Sequence, residues 1–167
     1  MEWSYLLILF VVFLVVFAAI SKGPATNTNY RKKDVLFSAA ERSFLGVLEL
    51  AVSDKYRVLG KVRVADILTP AKGMDRKNWQ IAFNKISAKH FDYVLCCKES
   101  FRVIAVVELD DKSHDKPKSK ARDKFLESAC KSADLYLVRF PAKAFYVVND
   151  VTDCIENVIN PAVHENV

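Results

Sequence analysis

Apolar and polar positions follow two regimes along this chain. Leu6 to Ile20 holds only Leu, Ile, Phe, Val and Ala, and Trp3 and Tyr5 extend the run with aromatic residues that favour a membrane interface. A helix over residues 3–20 covers about 27 Å, close to the thickness of a bilayer core. The pattern therefore predicts one N-terminal transmembrane helix within residues 1–21. Residues 22–34 are small, polar and broken by Gly and Pro, as a linker is.

From residue 35 the spacing becomes that of a folded domain, reaching about residue 160 and leaving 161–167 as a tail. Ser38-Ala-Ala-Glu41 is a capping-box pattern, and Phe44, Leu45, Leu48 and Val52 recur at helical spacing, predicting a helix over Ala39 to Val52. Tyr56 to Leu68 is rich in β-branched residues and reads as a strand bent at Gly60. Asp75 to Lys89 reads as a helix, with Trp79, Ala82, Phe83 and Ile86 on its core face. Phe91 to Cys97 and Phe101 to Asp110 read as two strands joined by a turn at Lys98-Glu99-Ser100. Lys118 to Ser132 is helical, Leu135 to Phe140 a strand, and Phe145 to Ile159 a strand followed by a helix. This order predicts an α/β domain with a mixed sheet.

Charge places the ends of the run. Met1 and Glu2 carry no Lys or Arg, whereas Lys22, Arg31, Lys32 and Lys33 follow the apolar stretch. The positive-inside rule then puts the N-terminus outside and the domain in the cytoplasm. A cleaved signal peptide needs a basic start and a shorter apolar core, although Ala18, Ala19 and Ser21 supply small residues. The net charge of +5 overstates the domain: residues 35–167 hold 21 of the 25 basic and 18 of the 20 acidic residues. An excess of three neither demands nor excludes nucleic acid. The four cysteines lack C-x-x-C spacing, and Cys96 and Cys97 are adjacent, which favours unpaired thiols in a reducing compartment.

Candidate chemistry lies between Phe91 and His114. The two strands are apolar on both faces, yet Asp92 and Glu108 interrupt them, and a buried carboxylate needs a partner. Glu108 and Asp110 are two apart and share a face. A three-residue turn sets Asp92 opposite Val106, diagonal to Glu108 at about 7–8 Å and on the same face; an even-length turn separates them. Three such carboxylates, Asp92, Glu108 and Asp110, suit Mg²⁺ or Mn²⁺, and His114, four residues after Asp110, could hydrogen-bond a metal-bound water, take a proton or complete the metal shell. The same spacing also fits, and more simply, an acidic loop leaving a strand end, with Glu108 salt-bridged to a Lys or Arg. Lys116, Lys118, Lys120, Arg122 and Lys124 could hold phosphates beside that site or be a solvated helix face. Glu41 already has its capping role.

Four segments together carry a resemblance: Ser-Ala-Ala-Glu-Arg-Ser-Phe-Leu from Ser38, Tyr-Arg-Val-Leu-Gly-Lys-Val-Arg-Val-Ala-Asp from Tyr56, Ile-Ser-Ala-Lys-His-Phe-Asp-Tyr-Val-Leu from Ile86 and Val-Glu-Leu-Asp-Asp-Lys-Ser-His from Val107. They resemble the bacterial domain of unknown function family 2726, whose layout is similar to the PD-(D/E)XK nuclease superfamily, especially its very-short-patch-repair-like branch. The resemblance spans about Val35 to Pro141. It implies a restriction-endonuclease-like sheet flanked by helices in a bacterial protein, so that the membrane expected from the apolar run is the bacterial inner membrane. It also implies a metal-dependent nuclease acting on DNA more than RNA. Asp92 and Glu108 then resemble the metal-binding acids, Asp110 and His114 the pair that positions water and assists proton transfer, Glu41 the helix acid, and Arg122 and Arg139 the later basic positions. Two positions depart from the pattern. Asp110 stands where the superfamily has its catalytic Lys, leaving Lys112 as the nearest cation along the chain, and Asp111 replaces a Gly. These departures keep a second expectation open, a membrane-tethered module that binds nucleic acid or protein without cutting.

Overall fold

The computed structural model describes residues 2–21, 29–110 and 117–161, and their side chains except at 2, 18–21 and 117–119. The chain divides into two units, Met1–Leu36 and Phe37–Val167. In the first, α1 (Glu2–Ser21) is a 20-residue helix with no polar stripe to set one side apart from another. Its described side chains, from Trp3 to Phe17, are exposed. Among the described residues no helix is long and apolar enough to cross a membrane. The described side chains stop three residues short of Ile20, the end of the apolar run.

In the second unit, α2 (Ala39–Val52) begins at the expected capping box. Glu41 N–H donates to Ser38 Oγ at 3.3 Å, and Ser38 N–H donates to Glu41 Oε2 at 2.8 Å. The helix buries Phe44, Leu48 and Val52, the i, i+4, i+8 stripe that the spacing predicts. β1 (Tyr56–Arg63) ends five residues earlier than the sequence suggests, because Val64–Ile67 coils into a short helix, α3. Burial of Val64 and the Arg63–Asp66 pair at 2.6 Å hold that turn. The irregular backbone in β1 falls not on Gly60 but on Lys61, at φ 55°. Gly60 leaves room for the Phe37 ring, whose Cζ would lie 2.2 Å from an added Cβ and would have to shift.

The remaining elements are α4 (Arg76–Ser87), β2 (His90–Cys97), β3 (Val103–Asp110), α5 (Pro117–Ser132), β4 (Tyr136–Pro141) and α6 (Val148–Ile159). The strand expected after Phe145 is absent from the described residues; 145–147 are irregular and α6 follows directly. The sheet order is β1-β2-β3-β4. The first three strands form an antiparallel meander, and β4 lies parallel to β3 after the α5 crossover. Helices α2 and α6 cover one face around Phe44, Tyr93, Val107, Val138 and Ile155. The other face packs Val64, Ile86, Val94, Val106, Leu126 and Cys130 against α3, α4 and α5. This is the mixed α/β architecture expected. All four cysteines are free.

The β2–β3 connection decides where the acidic residues point. Cys97 N–H donates to Arg102 O, so the loop is residues 98–101, four rather than three. An even loop by itself would send Asp92 and Glu108 to opposite faces. The register then shifts, from Cys96 opposite Val103 to Leu95 opposite Ala105. Ile104 is thereby an extra residue on β3, and this β-bulge restores the parity that the loop removes.

Candidate active site

Charged residues line up abreast across the whole sheet. The register pairing Gly60 with Tyr93 and Val62 with Phe91 sets Lys61 opposite Asp92. Beyond the bulge, the Leu95–Ala105 and Tyr93–Val107 pairs carry on to Asp92 opposite Glu108, and Glu108 pairs directly with Arg139 on β4. The row thus reads plus, minus, minus, plus. Asp92 and Glu108 are direct cross-strand neighbours rather than the diagonal pair expected, and so lie closer together.

Each acid is held by identified groups. Lys61 Nζ donates to Glu41 Oε1 at 2.6 Å and to Asp92 Oδ1 at 2.9 Å. The second Asp92 oxygen accepts the Leu109 N–H at 3.1 Å, and Asp92 N–H donates to Glu108 Oε1 at 3.4 Å. Here the strand ladder gives way to side chain–backbone bonds, and the carboxylates become part of the sheet. Arg122 of α5 donates to Glu108 Oε2 at 3.1 Å. Arg139 Nη1 donates to Asp110 Oδ1 at 2.8 Å and lies 3.7 Å from Asp123 Oδ1.

Burial sets the electrostatics. Glu108 is 2 % exposed, and loss of solvent, followed by the neighbouring Asp92 charge, pushes its carboxyl up to about 7 against the pull of Arg122 and Arg139. Burial also works to raise Glu41, but the Lys61 hydrogen bond and the Ser38 amide outweigh it and hold Glu41 below the usual carboxylate range. Lys61 is opposed by burial and supported by both acids, which together lift it above an ordinary lysine and keep it charged. Tyr93, buried beneath, donates its hydroxyl to Glu41 O at 2.6 Å.

An open cleft of about 500 Å³ is lined by Glu41, Lys61, Asp92, Glu108 and Arg122, with Ala88, Lys89, His90 and Leu109 on its rim. Glu41, Asp92, Glu108 and Arg122 were all expected near the chemistry, and they meet here. Asp110 departs from expectation: it turns to Arg139 and does not line the cleft, because β4 brings a guanidinium beside it. Arg122 and Arg139, expected as phosphate contacts, are likewise engaged with acids of this chain. Lys124 is exposed on α5. Lys112, His114 and Lys116 lie outside the described residues, as does the Lys118 side chain. Among the described residues no group of three or more His, Cys, Asp and Glu side chains is arranged to hold a metal ion.

Sequence reasoning missed Lys61. It sits in an apolar strand thirty-one residues before Asp92, and only the β1–β2 register brings it to the acids. The available signal was a lone lysine beside a glycine in the run Tyr56 to Arg63. His90, given no role from the sequence, also reaches the cleft.

No curated protein and no solved structure matches the chain significantly. A family model does match, over residues 33–159, which is nearly the whole second unit and includes every residue of the cleft; the chain belongs to the family described as Protein of unknown function (DUF2726).

Proposed function

We propose that the second unit is a metal-dependent phosphodiesterase that hydrolyses nucleic acid, DNA in preference to RNA. In the same proposal α1 is its single-pass anchor, with the domain on the cytoplasmic side of a bacterial inner membrane. The observation that carries the reading is the Asp92–Glu108 pair, two carboxylates side by side on adjacent strands, with Glu108 buried and the cleft open above them. Like charges so placed disfavour each other's ionisation unless a cation offsets them. Mg²⁺ uses one or two carboxylates and keeps several waters, so this pair suffices as the protein's share of a hard-ion site. Asp92 and Glu108 would hold Mg²⁺ or Mn²⁺.

Such an ion, when bound, polarises a phosphoryl oxygen and lowers the pKa of a water. The chain's own groups do the rest. Lys61 sets a fixed positive charge at the cleft wall, where it can stabilise charge growing on a phosphate. It thereby fills the role left vacant two residues after Glu108. Glu41 acts on Lys61, orienting its ammonium from the first turn of α2. Arg122 offsets Glu108, and Arg139 ties Asp110 and α5 to β4. His114 is the proposed proton-transfer group, and Lys112, the nearest cation along the chain, is a further candidate.

The test is cleavage of single- and double-stranded DNA by the full chain with Mg²⁺ or Mn²⁺. Asp92→Ala and Glu108→Ala should each abolish turnover while leaving most DNA binding in place. Turnover that survives both substitutions rejects the assignment. One observation favours a second reading, a binder that does not cut. Lys61, Arg122 and Arg139 already pair with Glu41, Asp92, Glu108 and Asp110, so the acids are stable without an ion. On that reading wild-type protein binds DNA in EDTA with a strong salt dependence and never cleaves it.

A further inference from the structure

One basic stretch of the second unit meets the cleft only at its end, through Lys89 and His90. Residues 71–90 carry five cations, Lys72, Arg76, Lys77, Lys85 and Lys89, against one acid, Asp75. Residues 116–124 carry the same excess of four, so the stretch around α4, which itself holds Arg76, Lys77 and Lys85, is one of two basic stretches of the domain. α4 also buries only Ile86 fully, leaving Arg76, Lys77, Gln80, Asn84 and Lys85 exposed.

Trp79 departs from expectation in an informative way. Its spacing placed it in the core, yet it is 38 % exposed. It lies flat on the partly buried Phe83, with ring centroids 5.1 Å apart and planes 8° from parallel. The indole is therefore fixed by a neighbour and still open to a partner. The segment leaving α4, residues 88–90, runs directly into the rim of the acidic cleft.

We propose that α4 is a docking surface for an unpaired nucleic-acid strand, with a base stacked on Trp79 and phosphates on Arg76, Lys77 and Lys85. The proposal rests on the nucleic-acid reading above and extends it to the route by which a strand reaches the cleft. An aromatic ring among cations is the pairing that holds single strands, because every base offers a π-face, and bases in a duplex are stacked out of reach. A membrane surface fits less well. The exposed apolar residues Trp79 and Ile81 are two apart, on nearly opposite sides of the helix, whereas an interfacial helix gathers its apolar residues on one face.

The experiment uses the full chain in nanodiscs of zwitterionic lipid, in EDTA, carrying Trp3→Phe so that Trp79 alone reports, since the chain has two tryptophans. An oligothymidylate of about 20 nucleotides, long enough for a tracking groove, should quench Trp79 emission and bind more tightly than a blunt duplex. Trp79→Ala should weaken binding about 10-fold or more, and Trp79→Phe should restore most of it. Arg76→Gln with Lys77→Gln and Lys85→Gln should flatten the salt dependence. Absence of quenching, or equal binding by the parent, Trp79→Ala and Trp79→Phe forms, overturns the proposal. So does a blue shift of Trp79 emission in anionic nanodiscs without any response to the oligonucleotide, which would make lipid the occupant. Because no metal is present, the outcomes separate from catalysis. Trp79-dependent binding by a chain that never cleaves keeps the platform and removes the enzyme; cleavage with Trp79-independent binding does the reverse.

Discussion

Lys61 occupies a backbone conformation that costs a non-glycine residue about 1 kcal/mol or more, at φ 55° in the middle of a strand. Its ammonium joins Glu41 to Asp92, which explains why a lysine tolerates that position. Lys61→Gly should relieve the backbone and still destabilise the domain, because two partly buried carboxylates lose their shared cation; denaturant unfolding measures the sign. Glu108 supplies a second test, in metal-free protein. Its folded pKa of about 7 lies above the ordinary 4.5, so the folded state binds the proton more tightly. The stabilisation from protonated Glu108 is full below pH 4.5 and is lost as pH rises to 7, on the order of 3 kcal/mol. Relative to the parent, Glu108→Gln should therefore be least favoured at acid pH and most favoured above pH 7. The difference between the two unfolding curves against pH shows it, and a flat difference rejects the burial argument.

At the scale of elements, α2 and β1 are locked together through small local devices. The Ser38–Glu41 box starts the helix, and the same Glu41 carboxylate then reaches Lys61 with its other oxygen. Capping and site-building, which compete on paper, share one side chain. Next to it, the Phe37 ring fills the space over Gly60 and stacks on Tyr93 at 5.9 Å. Gly60→Ala should displace that ring and cost about 1–3 kcal/mol. Phe37→Leu in the same chain should recover part of the loss, and a double-mutant cycle of unfolding energies gives the coupling. Additive effects would mean that the ring is not what excludes a side chain at Gly60.

For the whole molecule, the tether is the claim to test. The apolar run with basic residues only on its C-terminal flank predicts that a reporter fused after Val167 is active on the cytoplasmic side. Activity on the far side, or a mature chain beginning near Ser21, would overturn the anchor. The α/β plan, the capping box, the stripe Phe44-Leu48-Val52 and the family were all legible in the sequence, because each is a short-range pattern or a motif within one segment. Asp92 and Glu108 were legible as candidates because acids in apolar strands need partners. Their relation to each other was not. It depends on a four-residue loop and on Ile104 as a bulge, and neither leaves a signal in composition or periodicity. The capture of Asp110 by Arg139 and of Asp92 by Lys61 likewise depends on strands that are distant along the chain. The exposure of Trp79 depends on how little of α4 the other elements cover. Local patterns determine which segments become helices and strands and which residues carry charge. Register and packing alone decide which of those charges meet, since one residue of slip sends every side chain of a strand to the other face.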